Sequence, residues 1–159
     1  MNNLSLNIKG KLIDFKTPKI MGILNISDDS FYDGNKYNSK SKALKQTEKM
    51  LNEGADIVDI GAFTSKPGSK LISVEKEKQI LFPIIETLIY NFPDSLFSID
   101  TFRSEIAKKS IEIGASIIND ISGGEYDKKM FKIISKYKVP YVMMHIKGTP
   151  NTMQLNPKY

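Results

Sequence analysis

Apolar runs alternate with amphipathic stretches along nearly the whole of the 159-residue chain. Two short runs, Leu4–Ile8 and Lys11–Phe15, flank Lys9-Gly10 and predict a β-hairpin. The apolar run Lys19–Ile26 predicts a buried strand, and a polar loop over 27–38 follows it. A helix over 41–53 then places Ala43, Leu44, Thr47, Met50 and Leu51 on one face. Ser39 or Ser41 is its expected N-cap, and Gly54 its stop.

The same order recurs three more times. Strand Ala55–Gly61 leads through the loop 62–71 to a helix that starts near Ser73. Its apolar side holds Leu81, Ile84, Ile85 and Leu88, and Pro83 is expected to bend or break it. Strand Ser95–Asp100 passes almost directly into a helix over 103–113, closed by Gly114. Strand Ala115–Ile121, the loop 122–126 and a helix over 127–138 precede strand Val139–Ile146 and a polar tail.

Five β units joined by four helices imply a parallel sheet with right-handed crossovers. A doubly wound open sheet and a (β/α)8 barrel both begin in this way. The first strand is not followed by G-x-G-x-x-G, which weighs against a dinucleotide-binding sheet. Nothing marks a second domain, so residues 1–159 read as one unit, with the hairpin in 1–18 and the β/α units in 19–159.

The strand ends carry the candidate chemistry. Asn25, Gly61, Asp100, Asn119-Asp120 and His145 close the five runs, and in a parallel barrel these ends converge on the face where sites are built. A carboxylate at Asp100 and a carboxamide at Asn119 suit a flat heterocycle with donor and acceptor edges. Asp100 also stands where it can cap the helix beginning near Phe102, and the two roles are compatible. His145 reads as a buried structural histidine, since nothing near it in sequence orients it as a base. The long polar loops offer Phe31 as an aromatic face, and Thr64, Ser65 and Lys66 as an anion grip.

Composition narrows the classes. The chain lacks cysteine, which excludes a disulfide scaffold, a thiolate nucleophile and a zinc–thiolate site. Its net charge is +5, but Arg103 is the sole arginine among 23 basic residues, and the lysines lie mostly at helix-surface spacing. That pattern describes a solvated surface, so neither a nucleic-acid nor a membrane partner is expected. A cytoplasmic setting is the default.

Several ordered blocks carry a resemblance. MGILNISDDSFYDG, GADIVDIGAFTSKPGS, SIDTFRSEIA, IINDISGG and VMMHIKGTPNTMQ, taken together, resemble dihydropteroate synthase from about Ile20 to Tyr159. The resemblance implies a (β/α)8 barrel, of which this chain holds about five β units. It also implies that a dihydropterin diphosphate loses diphosphate while para-aminobenzoate attacks the exocyclic carbon, a magnesium-assisted and largely dissociative reaction. By position, Asn25 would sit at the magnesium and diphosphate, with Ser65 and Lys66 approaching the diphosphate. Asp100 and Asn119 would bond the pterin edge, and Ile121 and Met144 would line its pocket. Phe31 and Pro67 would frame the para-aminobenzoate site, and Asp29 belongs to the first loop, which closes over the reaction. The complete enzyme is expected to be a homodimer and a sulfonamide target.

The departures from the family pattern have consequences. Ser27-Asp28-Asp29 replaces Thr-Pro-Asp, and Lys66 stands where the family carries an arginine. Lysine keeps the charge but loses the planar fork, so weaker diphosphate binding is expected. The family's later aspartate, lysine and arginine blocks lie beyond Tyr159. The chain is therefore expected to leave an open pocket with apolar strand edges, and to turn over only with its C-terminal part. The competing readings are a methyltetrahydrofolate-binding methyltransferase-type domain, a non-catalytic half-barrel that docks a partner by its edges, and a decayed product.

Overall fold

The computed structural model describes residues 5–26, 36–62 and 72–145. A two-stranded antiparallel hairpin, β1 (Ser5–Ile8) and β2 (Lys11–Asp14), precedes a five-stranded parallel sheet. Its strands are β3 (Met21–Asn25), β4 (Ile57–Gly61), β5 (Leu96–Asp100), β6 (Ile117–Asp120) and β7 (Tyr141–Met143). Helices α1 (Lys36–Asn52), α2 (Val74–Asn91), α3 (Ser104–Ile113) and α4 (Met130–Tyr137) connect them in turn. Each strand pairs with the next in sequence, with no reversal of order. A doubly wound sheet requires such a reversal; a barrel wall does not.

Strand periodicity divides the sheet into two faces. Leu24, Val58, Ile60, Phe97, Ile99 and Ile118 point outward and pack against Ala43, Ile80, Leu81, Ile84, Ile85, Leu88, Ile106, Ala107 and Met130 of the helices. The opposite face carries Ile23, Asp59, Ser98 and Ile117 in one row, and Asn25, Gly61, Asp100, Asn119 and Val142 in the next. The hairpin covers the far end of that face. Ile8, 1% exposed, packs on Ile57 and Ile117, with Ile13, Met21 and Leu96 around them. Its turn places Lys9 and Gly10 at φ 52° and 80°, the left-handed pair that a two-residue hairpin requires. The hairpin thus closes the end at which the strands begin and leaves free the end at which they finish.

Three expectations need correction. Helix α1 starts at Lys36, so Ser39 and Ser41 lie inside it and neither caps it; Ser39 is buried. Pro83 does not break α2, which runs unbroken from Val74 to Asn91, and the Thr87 hydroxyl donates to the Pro83 carbonyl at 2.6 Å. The last strand is short, ending at Met143, which leaves His145 beyond the sheet and exposed, not buried. The outer strands are not covered on both faces: Ile23 on β3 is 66% exposed and Val142 on β7 is 42% exposed. Those apolar edges match the expected open wall.

Candidate functional site

Parallel register builds the site. It sets Asn25 beside Gly61, Gly61 beside Asp100, and Asp100 beside Asn119. Gly61 is the gap in this row. A Cβ there would lie 3.4 Å from Asp100 Oδ2 and 3.6 Å from Asn25 Oδ1, so the two neighbouring side chains lean over a position without one. Three of the expected residues from three different strands therefore meet at one end of the sheet.

A fourth residue was missed by reading strand ends alone. Asp59 sits mid-strand in β4, 4% exposed, and its Oδ2 accepts a 2.9 Å hydrogen bond from Asn119 Nδ2. The available signal was parity: Asp59 is two residues before Gly61 and so faces the same way. Ser98 is its register partner on β5 and is fully buried. Asp59 Oδ1, Ser98 Oγ and Asp100 Oδ1 are all buried without a hydrogen-bond partner among the described residues. Leaving such atoms unsatisfied costs roughly 1–3 kcal/mol each, more for a carboxylate, unless a ligand completes them.

The electrostatics follow from this crowding. Burial, reinforced by the charges of Asp59, Glu77 and Asp120, pushes the Asp100 carboxyl up to about 7. Asp100 does not stand at the cap of α3: that position is Arg103, and the amide of Ser104 donates to Asp127 Oδ2 at 2.8 Å. Burial raises Asp127, but hydrogen bonds from Ser104 and Lys129 outweigh it and leave its pKa below the ordinary carboxylate value. Asp100 is thereby left to the inner face. Neighbouring Asp120, fully buried, is consumed by structure: its carboxylate accepts from Ser122 N, Gly124 N and the Tyr141 hydroxyl.

The remaining expected residues fall elsewhere. Ile121 and Met144 are half-buried and stand two residues past Asn119 and Val142, beyond the paired strands. Met144 and His145 border a groove of about 350 Å³ with Ser122, Gly123, Glu125 and Met143. Asn25 also borders a groove of about 430 Å³ under α1, lined by Lys42, Lys45 and Lys49. Asp29, Phe31, Ser65, Lys66 and Pro67 lie outside the described residues. Among the described residues, no three His, Cys, Asp or Glu side chains are placed to hold a metal ion. The oxygens that converge over Gly61, from Asn25 and Asp100, are hard donors of the kind magnesium takes alongside water and phosphate.

Buried acceptors thus gather where parallel strands finish, the face on which barrel enzymes build their sites. The chain belongs to the pterin binding enzyme family, whose model matches residues 21–159. It is similar to dihydropteroate synthases. The structure of the Yersinia pestis dihydropteroate synthase in a sulfonamide drug complex superposes with a TM-score of 0.86 at 34% identity, over 98% of this chain and 56% of that one. The Xanthomonas albilineans dihydropteroate synthase with 4-aminobenzoic acid gives 0.82 at 31% identity, over 92% of this chain and 53% of that one. In sequence, the folic acid synthesis protein fol1 of Pneumocystis carinii is 47% identical over 146 residues, 88% of this chain and 20% of that protein. The chain spans less than half the length of each of six curated relatives that it matches, from 20% to 48%. No helix among the described residues is long and apolar enough to cross a membrane.

Proposed function

We propose that this chain forms the first part of a dihydropteroate synthase, which joins 6-hydroxymethyl-7,8-dihydropterin diphosphate to para-aminobenzoate and releases diphosphate. The observation that carries the reading is the pair of buried, unpartnered carboxylate oxygens of Asp59 and Asp100 beside the Asn119 carboxamide. A pterin edge presents adjacent N–H donors and an acceptor, and would complete these groups. In the reaction, the bond from the exocyclic carbon to diphosphate oxygen breaks, and its electron pair leaves with diphosphate. The para-aminobenzoate nitrogen forms the new C–N bond and loses a proton to water. Asp100, ionised by the donors it accepts from, would stabilise positive charge that develops on the pterin ring.

Asn25 fits one position on a magnesium ion, which would supply charge neutralisation at the departing diphosphate. Ser65 and Lys66 would contribute to that same anion, and Asp29, Phe31 and Pro67 to the para-aminobenzoate side. Ile121 and Met144 would wall the pterin. These assignments rest on the family resemblance. A homodimer, a cytoplasmic setting and sulfonamide sensitivity belong to the same proposal; the drug complex of the Yersinia neighbour supports the last. The test is product formation by this chain fused to the C-terminal half of a related synthase, with and without Asp100→Asn. Dihydropteroate from the fusion, lost in the variant, supports the reading. No product from a folded fusion, or product indifferent to the substitution, overturns it.

A further inference from the structure

Behind Asp100 lies a buried polar chain that the proposed chemistry does not use. Thr101 and Glu77 are both fully buried. The Thr101 amide donates to the Asn119 carbonyl at 3.0 Å, so this residue bridges the two clamp residues through the backbone. Its hydroxyl donates to Glu77 Oε1 at 2.7 Å and accepts from the Arg103 amide at 3.2 Å. Glu77 Oε2 in turn forms an ion pair with the Arg103 guanidinium, whose other terminal nitrogen donates to the Ile72 carbonyl. The guanidinium also lies 5.0 Å from the centre of the Phe102 ring, which packs against Tyr126 at 4.6 Å.

A fully buried glutamate paired with the chain's sole arginine is a weak source of stability, because desolvation offsets most of the attraction. Geometric specification is the better-attested use of such a pair. Here the specified element is short: Thr101 has Asp100 on one side and holds Asn119 through its own amide. We propose that Thr101, Glu77 and Arg103 are positioning residues that fix the Asp100–Asn119 clamp from behind, so that the clamp accepts a pterin edge without rearrangement. The inference rests on the pterin-binding reading above.

The test is equilibrium binding of 6-hydroxymethylpterin to this chain, with thermal unfolding recorded on every sample. Thr101→Val removes one hydroxyl at nearly constant volume and is expected to weaken binding about ten-fold. Thr101→Ser is expected to restore affinity to within about two-fold of wild type, since it returns the hydroxyl. Arg103→Met should weaken binding likewise; if it does not fold, the threonine pair decides. A Thr101→Val protein that loses thermal stability yet binds as wild type assigns the network to stability alone and overturns the proposal. Equal loss of affinity in Thr101→Val and Thr101→Ser also overturns it. Asp100→Asn separates the two claims: wild-type protein that fails to bind, or binds regardless of Asp100, refutes the pterin reading itself.

Discussion

Replacing Asp100 with asparagine should stabilise the protein and disable it, and the size of the first effect follows from the structure. Burial is the main force that raises this carboxyl, from 3.8 to about 7. The difference, 7 − 3.8, is about three pKa units, or about 4 kcal/mol at 1.36 kcal/mol per unit. The sign is set by which state holds the proton. Between pH 4 and pH 7 the folded protein keeps a proton that the unfolded chain has released, so stability falls as pH rises through this window. Above pH 7 both states are ionised and the penalty is constant. An asparagine has no such titration, so the stability of Asp100→Asn relative to wild type should rise by about 2–4 kcal/mol between pH 5 and pH 8. Urea unfolding of both proteins at several pH values measures this difference, and titrations elsewhere cancel in it. A stability difference that stays flat from pH 5 to pH 8 would refute the assignment of Asp100 as a buried, uncompensated acid. The same variant should lose pterin affinity, because the amide offers one acceptor where the carboxylate offers two.

Three further outcomes are expected. Asn119→Ala should destabilise by about 1–3 kcal/mol in thermal unfolding, since it strips Asp59 Oδ2 of its only described donor. Asp127→Ala should cost about 1 kcal/mol by uncapping α3. Because the Asp127 pKa is lowered on folding, its contribution should be present above the ordinary carboxylate pKa and fade as pH falls through the folded value, which an acid titration of stability reads directly. Ile8→Ala should cost about 2–5 kcal/mol in chemical denaturation by opening the packing between hairpin and sheet, without moving pterin affinity.

The fold was legible because each strand and helix announces itself by periodicity, and because strand order in a simple β/α repeat follows chain order. The strand ends read from the sequence are brought side by side by parallel register, which aligns Asn25, Gly61, Asp100 and Asn119. What escaped depends on contacts between distant segments. Asp127 caps a helix 23 residues earlier in the chain, which local cap patterns cannot show. Asp59 is not a strand end, and only the face it shares with Gly61 places it with the others. His145 lost its expected burial because the last strand ends two residues before it. Glu77 and Arg103 are 26 residues apart in sequence, and only folding pairs them.

In the proposed function, the inner end of this sheet holds a pterin by its N–H edge. A crystal structure of the protein with 6-hydroxymethylpterin tests it most directly. The heterocycle is expected against Gly61, with its N–H groups on the carboxylate of Asp100 and its edge on the Asn119 amide. A pterin bound in the groove beside Met144 and His145, with Asp100 left untouched, would contradict it.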